Sequence, residues 1–261
     1  MPALLNQLAL LLLTLTIGMA CQPEGKEYQP PAPETDETTN SDEPGDSAQE
    51  DDQTPAEEEE DRPPCEFPAT LTENPETIDG FVAFINELPP PVTVSCVLQA
   101  LKRPLLLNAT SNRFSAQGAV DSEAPRIFIK MGSLILTTVA KGEGSSSIEM
   151  SESINSTMSV KGDLKFPFTE DIPEQAPYKN IYAGGSASCA GLCHTDYQEI
   201  KKYPDGAVKY ASTIIAPKPS LNVPLVELQM LRSACEGVEQ QLCDFYRDLM
   251  DHGDVQAFTF P

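Results

Sequence analysis

Apolar and polar positions divide the chain into three stretches of different character. From Leu4 to Ile17 nearly every residue is apolar, and from Gln22 to Pro64 almost none is. From Cys65 onward the two kinds are mixed with recognisable periods. Ile78, Phe81, Val82 and Ile85 keep the three-and-four spacing of one helical face. Asn74-Pro75-Glu76-Thr77 supplies a capping residue and a proline at the first helical position, and Pro89-Pro90-Pro91 ends the helix. A second short helix is predicted over 94–102. The period then changes to that of strands: 105–107, 126–130, 133–139, 147–150 and 158–166 are short and rich in Val, Ile, Thr and Phe, and several alternate. Met131-Gly132 and Gly142-Glu143-Gly144 are turn candidates between them. An irregular loop follows, and helical spacing returns over 225–231 and 238–250. The expected class is α+β: an antiparallel sandwich or barrel-like centre flanked by an N-terminal helix and a C-terminal helical hairpin.

The expected organisation is a signal peptide at 1–21, an acidic tether at 22–64, a β-rich domain with its N-terminal helix at 65–185, and a Cys-His loop with two helices at 186–261. The leading apolar stretch is shorter than the roughly 20 residues of a membrane-spanning helix and has the length of a signal-peptide core. Ile17-Gly18-Met19-Ala20-Cys21 resembles a lipobox, with Ile17 one place further upstream than usual and Ala20 in the position before the cut. The resemblance implies a bacterial lipoprotein whose Cys21 carries diacylglycerol; Gln22, which is not an aspartate, then points to the outer membrane. The other reading is an ordinary signal peptide cut near Cys21, leaving a soluble secreted protein. Residues 22–64 hold sixteen Asp and Glu against two Lys and Arg, so this stretch carries −14 of the chain's −23. Such a segment has nothing to bury and reads as a solvated spacer. The remaining −9 lacks the basic stripe that phosphate binding needs, which argues against a nucleic-acid partner.

Seven cysteines occur. With Cys21 lipidated, six remain, an even number that in an oxidising compartment points to disulfides. Cys65 and Cys96 could pin the N-terminal edge, and Cys235 and Cys243 could staple the last two helices. The remaining pair belongs to Cys189-Ala190-Gly191-Leu192-Cys193-His194. This C-x-x-x-C-H resembles the haem-attachment motif of c-type cytochromes, with one residue more in its spacer. The resemblance implies haem c held by thioethers to Cys189 and Cys193, with His194 as an iron ligand. The iron's sixth position would then fall to His252, to Met230 or Met250, or stay open. The alternatives are a Cys189–Cys193 or longer-range disulfide, a redox-active dithiol, and a metal site short of a fourth ligand. As a whole the sequence is also similar to uncharacterised lipoproteins of myxobacteria. Two functions therefore stand side by side. One is a membrane-tethered haem module passing electrons to an exported redox partner. The other is a disulfide-stabilised envelope lipoprotein, structural or ligand-binding, without a cofactor. An electron carrier or binding module is expected rather than an enzyme, since no phosphate-cradling loop or nucleophile elbow is present.

Overall fold

A computed structural model describes residues 65–115, 117–179, 181, 196–235 and 239–260. Helices α1 (Ile78–Asn86) and α2 (Val94–Ala100) lead into β1 (Leu105–Thr110), β2 (Arg126–Met131), β3 (Leu134–Val139), β4 (Ser147–Ser153) and β5 (Met158–Lys165). These five strands pair in sequence order, each antiparallel to the next. A hairpin of β6 (Gln198–Lys202) and β7 (Val208–Thr213) adds to β5. The chain then runs through β8 (Asn222–Val223), α3 (Leu225–Ala234), α4 (Gln240–Met250) and β9 (Val255–Ala257). The sheet order is β6-β7-β5-β4-β3-β2-β1-β8, and β9 lies parallel to the first half of β1. The α+β class with an antiparallel, β-rich centre holds; among the described residues the sheet is layered against helices and not closed into a barrel.

Strand register explains why only one face of the sheet builds the core. Leu107, Ile129, Leu136 and Met150 oppose one another across β1 to β4, and Gly162 of β5 completes the row. All four apolar side chains are buried. Ile78, Phe81, Val82, Phe84 and Ile85 of α1 belong to the same core, as do Val97 and Leu98 of α2. So do Leu242, Phe245, Tyr246 and Leu249 of α4, so segments before and after residue 186 share one apolar interior. Gly162 answers to this packing. A Cβ there would lie 3.1 Å from Pro177 Cβ and 3.3 Å from both Ile78 Cδ1 and Met150 Cε, so even alanine would require the neighbours to give by a few tenths of an ångström.

Polar groups fix how the helices meet the sheet. The first turn of α1 starts at Thr77, whose hydroxyl accepts from Gly80 N, and Glu152 of β4 accepts from Ile78 N at 2.8 Å. The expected cap, Asn74, serves elsewhere: its side chain exchanges two hydrogen bonds with the Lys102 backbone and so ties the entry of α1 to the exit of α2. At the far end Arg103 donates to the carbonyls of Leu98 and Asp248, bridging the C-terminal ends of α2 and α4 where helix dipoles favour a cation. Burial pulls its pKa down to about 10, which leaves it charged at neutral pH.

Both sequence-expected disulfides form. Cys65–Cys96 closes a separation of 31 residues and fastens the chain's entry to α2; Cys235–Cys243 joins the end of α3 to α4. The turn at Met131-Gly132 also holds, with Gly132 at φ 56° where a side chain would be strained. The hairpin of β6 and β7 replaces the irregular loop expected after residue 166. Every residue of β6, Gln198-Glu199-Ile200-Lys201-Lys202, is exposed, so no apolar alternation marks the strand. Its Pro204-Asp205-Gly206 turn is the one signal of a hairpin there.

Replacing Cys65 and Cys96 together by serine is expected to cost about 3 kcal/mol, by the loop-closure relation. Denaturant unfolding of the exported chain checks it. An unchanged midpoint would mean that this bridge does not constrain the unfolded state.

Candidate functional site

On the opposite face of the sheet the same register produces a mixed surface of rings, hydroxyls and charges. Asn108, Phe128, Thr137, Glu149 and Asp163 form one row across β1 to β5; Leu106, Lys130, Ile135, Ser151 and Lys161 form the next. Arg126 stands beside Phe128 on this face, its guanidinium 5.2 Å from the ring centroid. It donates to Glu149 at 2.6 Å and to Thr137 at 3.1 Å, and also reaches Ser115. Both partners of the Arg126–Glu149 pair are largely shielded from water, so each charge depends on the other.

Asp163 lies next to Glu149 in this row. Burial, then the negative charge of Glu149, raises its carboxyl to about 6. One of its oxygens, Oδ1, is buried with no hydrogen-bond donor. Beside it, Lys161 donates to Ser159 at 2.7 Å and Ser151 at 3.1 Å, and those hydroxyls bond each other at 2.9 Å.

At one end of this face the chain after β9 folds over the strands. Phe258 N donates to Leu107 O, and Asn108 donates to Phe258 O, which fixes the strap to β1. Phe260 meets Phe128 edge-on at 5.2 Å and lies 5.0 Å from Phe258. The strap is one wall of a groove of about 260 Å³. Ile135 and Ile214 line it with the two rings, and Lys130 stands within it, its ammonium 5.8 Å from the centroid of Phe258. The rim comes from two turns: Gly132 and Ser133 between β2 and β3, and Ser153, Asn155 and Ser156 between β4 and β5. Asn155 Oδ1 accepts from Thr157 N and Met158 N, so the second turn is held in one shape. An apolar concavity with a few convergent polar groups is the usual form of a small-molecule site.

The residues singled out by sequence are distributed differently. Cys21, Cys189, Cys193 and His194 lie outside the described residues. His252 is exposed in the turn after α4, and Met230 is 64% exposed on α3. Met250, in contrast, is half-buried against the core. Among the described residues no three His, Cys, Asp or Glu side chains converge where a metal ion could be held, and no helix is long and apolar enough to cross a membrane. The groove was missed in sequence because its walls come from separate segments. Phe258 and Phe260 gain their place only through the pairing of β9 with β1 and the bond from Phe258 N to Leu107 O. No family model, curated protein or solved structure matches the chain.

Asp163 gives the fold a pH dependence. Its carboxyl holds a proton more tightly in the folded state than at its ordinary value of 3.8, so its contribution is most favourable below about pH 4 and is lost as pH rises through about 6. Asp163→Asn is expected to flatten this loss and to gain on the order of 1–2 kcal/mol above pH 7, discounted for partial solvent screening. Chemical denaturation of both proteins from pH 4 to pH 8 measures it. Parallel stability curves would refute it.

Proposed function

We propose that the protein is an exported lipoprotein, anchored through Cys21, whose disulfide-stapled domain binds a ligand on the outer face of its sheet. The observation that carries this reading is the pair of closed disulfides around a domain with a walled groove. Disulfides persist where the compartment is oxidising, which agrees with the signal-like leader and lipobox-like Cys21. The acidic stretch before Cys65 suits a spacer that keeps the domain in solution above an anionic surface. In this reading the membrane is engaged by lipid alone and the outer membrane is the destination.

A second reading is favoured by one observation. Cys65, Cys96, Cys235 and Cys243 are bonded in two pairs, which leaves Cys189 and Cys193 as the remaining two cysteines of the domain. That is the pair a c-type haem would use, with His194 on the iron and an exported protein as redox partner. The simpler possibility is a bond between the two sulfurs.

The anchor is tested by feeding cells a labelled fatty acid. The wild-type protein is expected to carry the label in the outer-membrane fraction, and Cys21→Ala to lose the label and leave that fraction. Equal labelling, or none in either, contradicts the anchor. The haem reading is tested separately. In a host proficient in cytochrome maturation, a haem-stained band that disappears in Cys189→Ala would establish it, and a colourless protein would rule it out.

A further inference from the structure

The groove's own chemistry names the class of ligand. Its volume of about 260 Å³ lies just below the roughly 300–1,000 Å³ typical of drug-sized sites, so the occupant is small. Two phenyl rings and two isoleucines offer apolar contact on several sides. Lys130 is the one cation in the lining, and it makes no ion pair with a carboxylate among the described residues. Lys102, Lys141, Lys179, Lys201 and Lys209 each have an acidic partner, whereas Lys130, Lys165, Lys202 and Lys218 form no salt bridge among the described residues, and of these four Lys130 is the one that lines the groove. The Phe258 ring face holds the Lys130 ammonium over the groove without neutralising it. At the rim, the hydroxyls of Ser153 and Ser156 and the amide nitrogen of Asn155 can donate to a bound oxygen, while the Ser133 hydroxyl is taken up by the Glu76 carbonyl at 2.6 Å. Ile154, in the turn after β4, and Ile215, next to Ile214, are 47% and 54% exposed and extend the apolar surface outward.

We infer that the groove binds a small amphipathic carboxylic acid, its carboxylate on Lys130 and its apolar body between Phe258, Phe260, Ile135 and Ile214. This inference rests on the proposal that the outer face is a recognition surface and supplies its ligand class. Charge complementarity selects the acid over a neutral or cationic analogue. The domain's net negative charge repels anions in general, so an anion that binds must do so through a local cation. The contact would be charge-assisted, stronger than a neutral hydrogen bond, and weakened by salt.

The probe is octanoate, compared with octan-1-ol and octylammonium. Isothermal titration of the mature chain, disulfides intact, is expected to give saturable 1:1 binding of octanoate with Kd about 1 mM or tighter, and at least about tenfold weaker binding of the other two. Lys130→Gln should weaken octanoate about tenfold or more and leave octan-1-ol unchanged, while Lys130→Arg should retain binding. Amide shifts should gather at Lys130, Ser133, Asn155 and Phe258. Three results overturn the inference: no saturation, octan-1-ol bound as well as octanoate, or shifts that map away from the groove. Octanoate failure with shifts at the groove from another ligand would end this inference and keep the recognition surface. Failure of the anchor shows instead in the Cys21 labelling experiment.

Discussion

The inner face of the sheet is covered by α1, α2 and α4, and the row Leu107, Ile129, Leu136 and Met150 must be presented to that side. Because side chains alternate, a slip of one residue in any of these strands would carry Leu107, Ile129, Leu136 or Met150 to the opposite face, and in β2 and β4 it could bring Lys130 or Glu149 inward. The helices are therefore more than a lid. They select the register that also decides which residues stand together on the outer face. Glu152 shows the coupling in one side chain: it sits on the inner face of β4, yet reaches the first free amide of α1 and holds the helix to the strand it covers. The two disulfides act at the margins of the same layer, one at α2 and one at α4.

The outer face inherits that register without being filled by a second layer of apolar residues. It carries Arg126, Glu149 and Asp163 in neighbouring positions, a set that satisfies two of its charges internally and leaves a carboxyl oxygen of Asp163 without a donor. Unpaired polarity of this kind is poor economy for a purely structural surface. A few residues away the surface turns into a groove with rings, isoleucines and one lysine that has no carboxylate partner among the described residues. The C-terminal strap makes this possible: β9 borrows the free edge of β1 and aims Phe258 and Phe260 across the strands.

Much of this was legible in the sequence wherever packing sets a period. The α1 face, the strands at 126–131, 134–139 and 158–165, the last two helices and both disulfides follow from apolar spacing and from where cysteines fall. Legibility fails where a residue's partner is distant. Asn74 looks like a helix cap and instead joins Lys102, whereas Thr77, three residues on, does the capping. The strand 198–202 has no buried face and so no alternation to read. Phe258 and Phe260 carry no periodicity and gain meaning only from their pairing with β1. The Cys189, Cys193 and His194 motif is a local pattern whose chemistry depends on what its two sulfurs bond to.

Those sulfurs also set the most direct test of the whole account, because the stapled, exported frame requires four particular cysteines to be closed in two particular pairs. Mapping disulfides by mass spectrometry on protein taken unreduced from the envelope should recover Cys65 joined to Cys96 and Cys235 joined to Cys243, with diacylglycerol on the residue-21 peptide. A peptide linking Cys189 or Cys193 to any of those four, or all four recovered as free thiols, would contradict it.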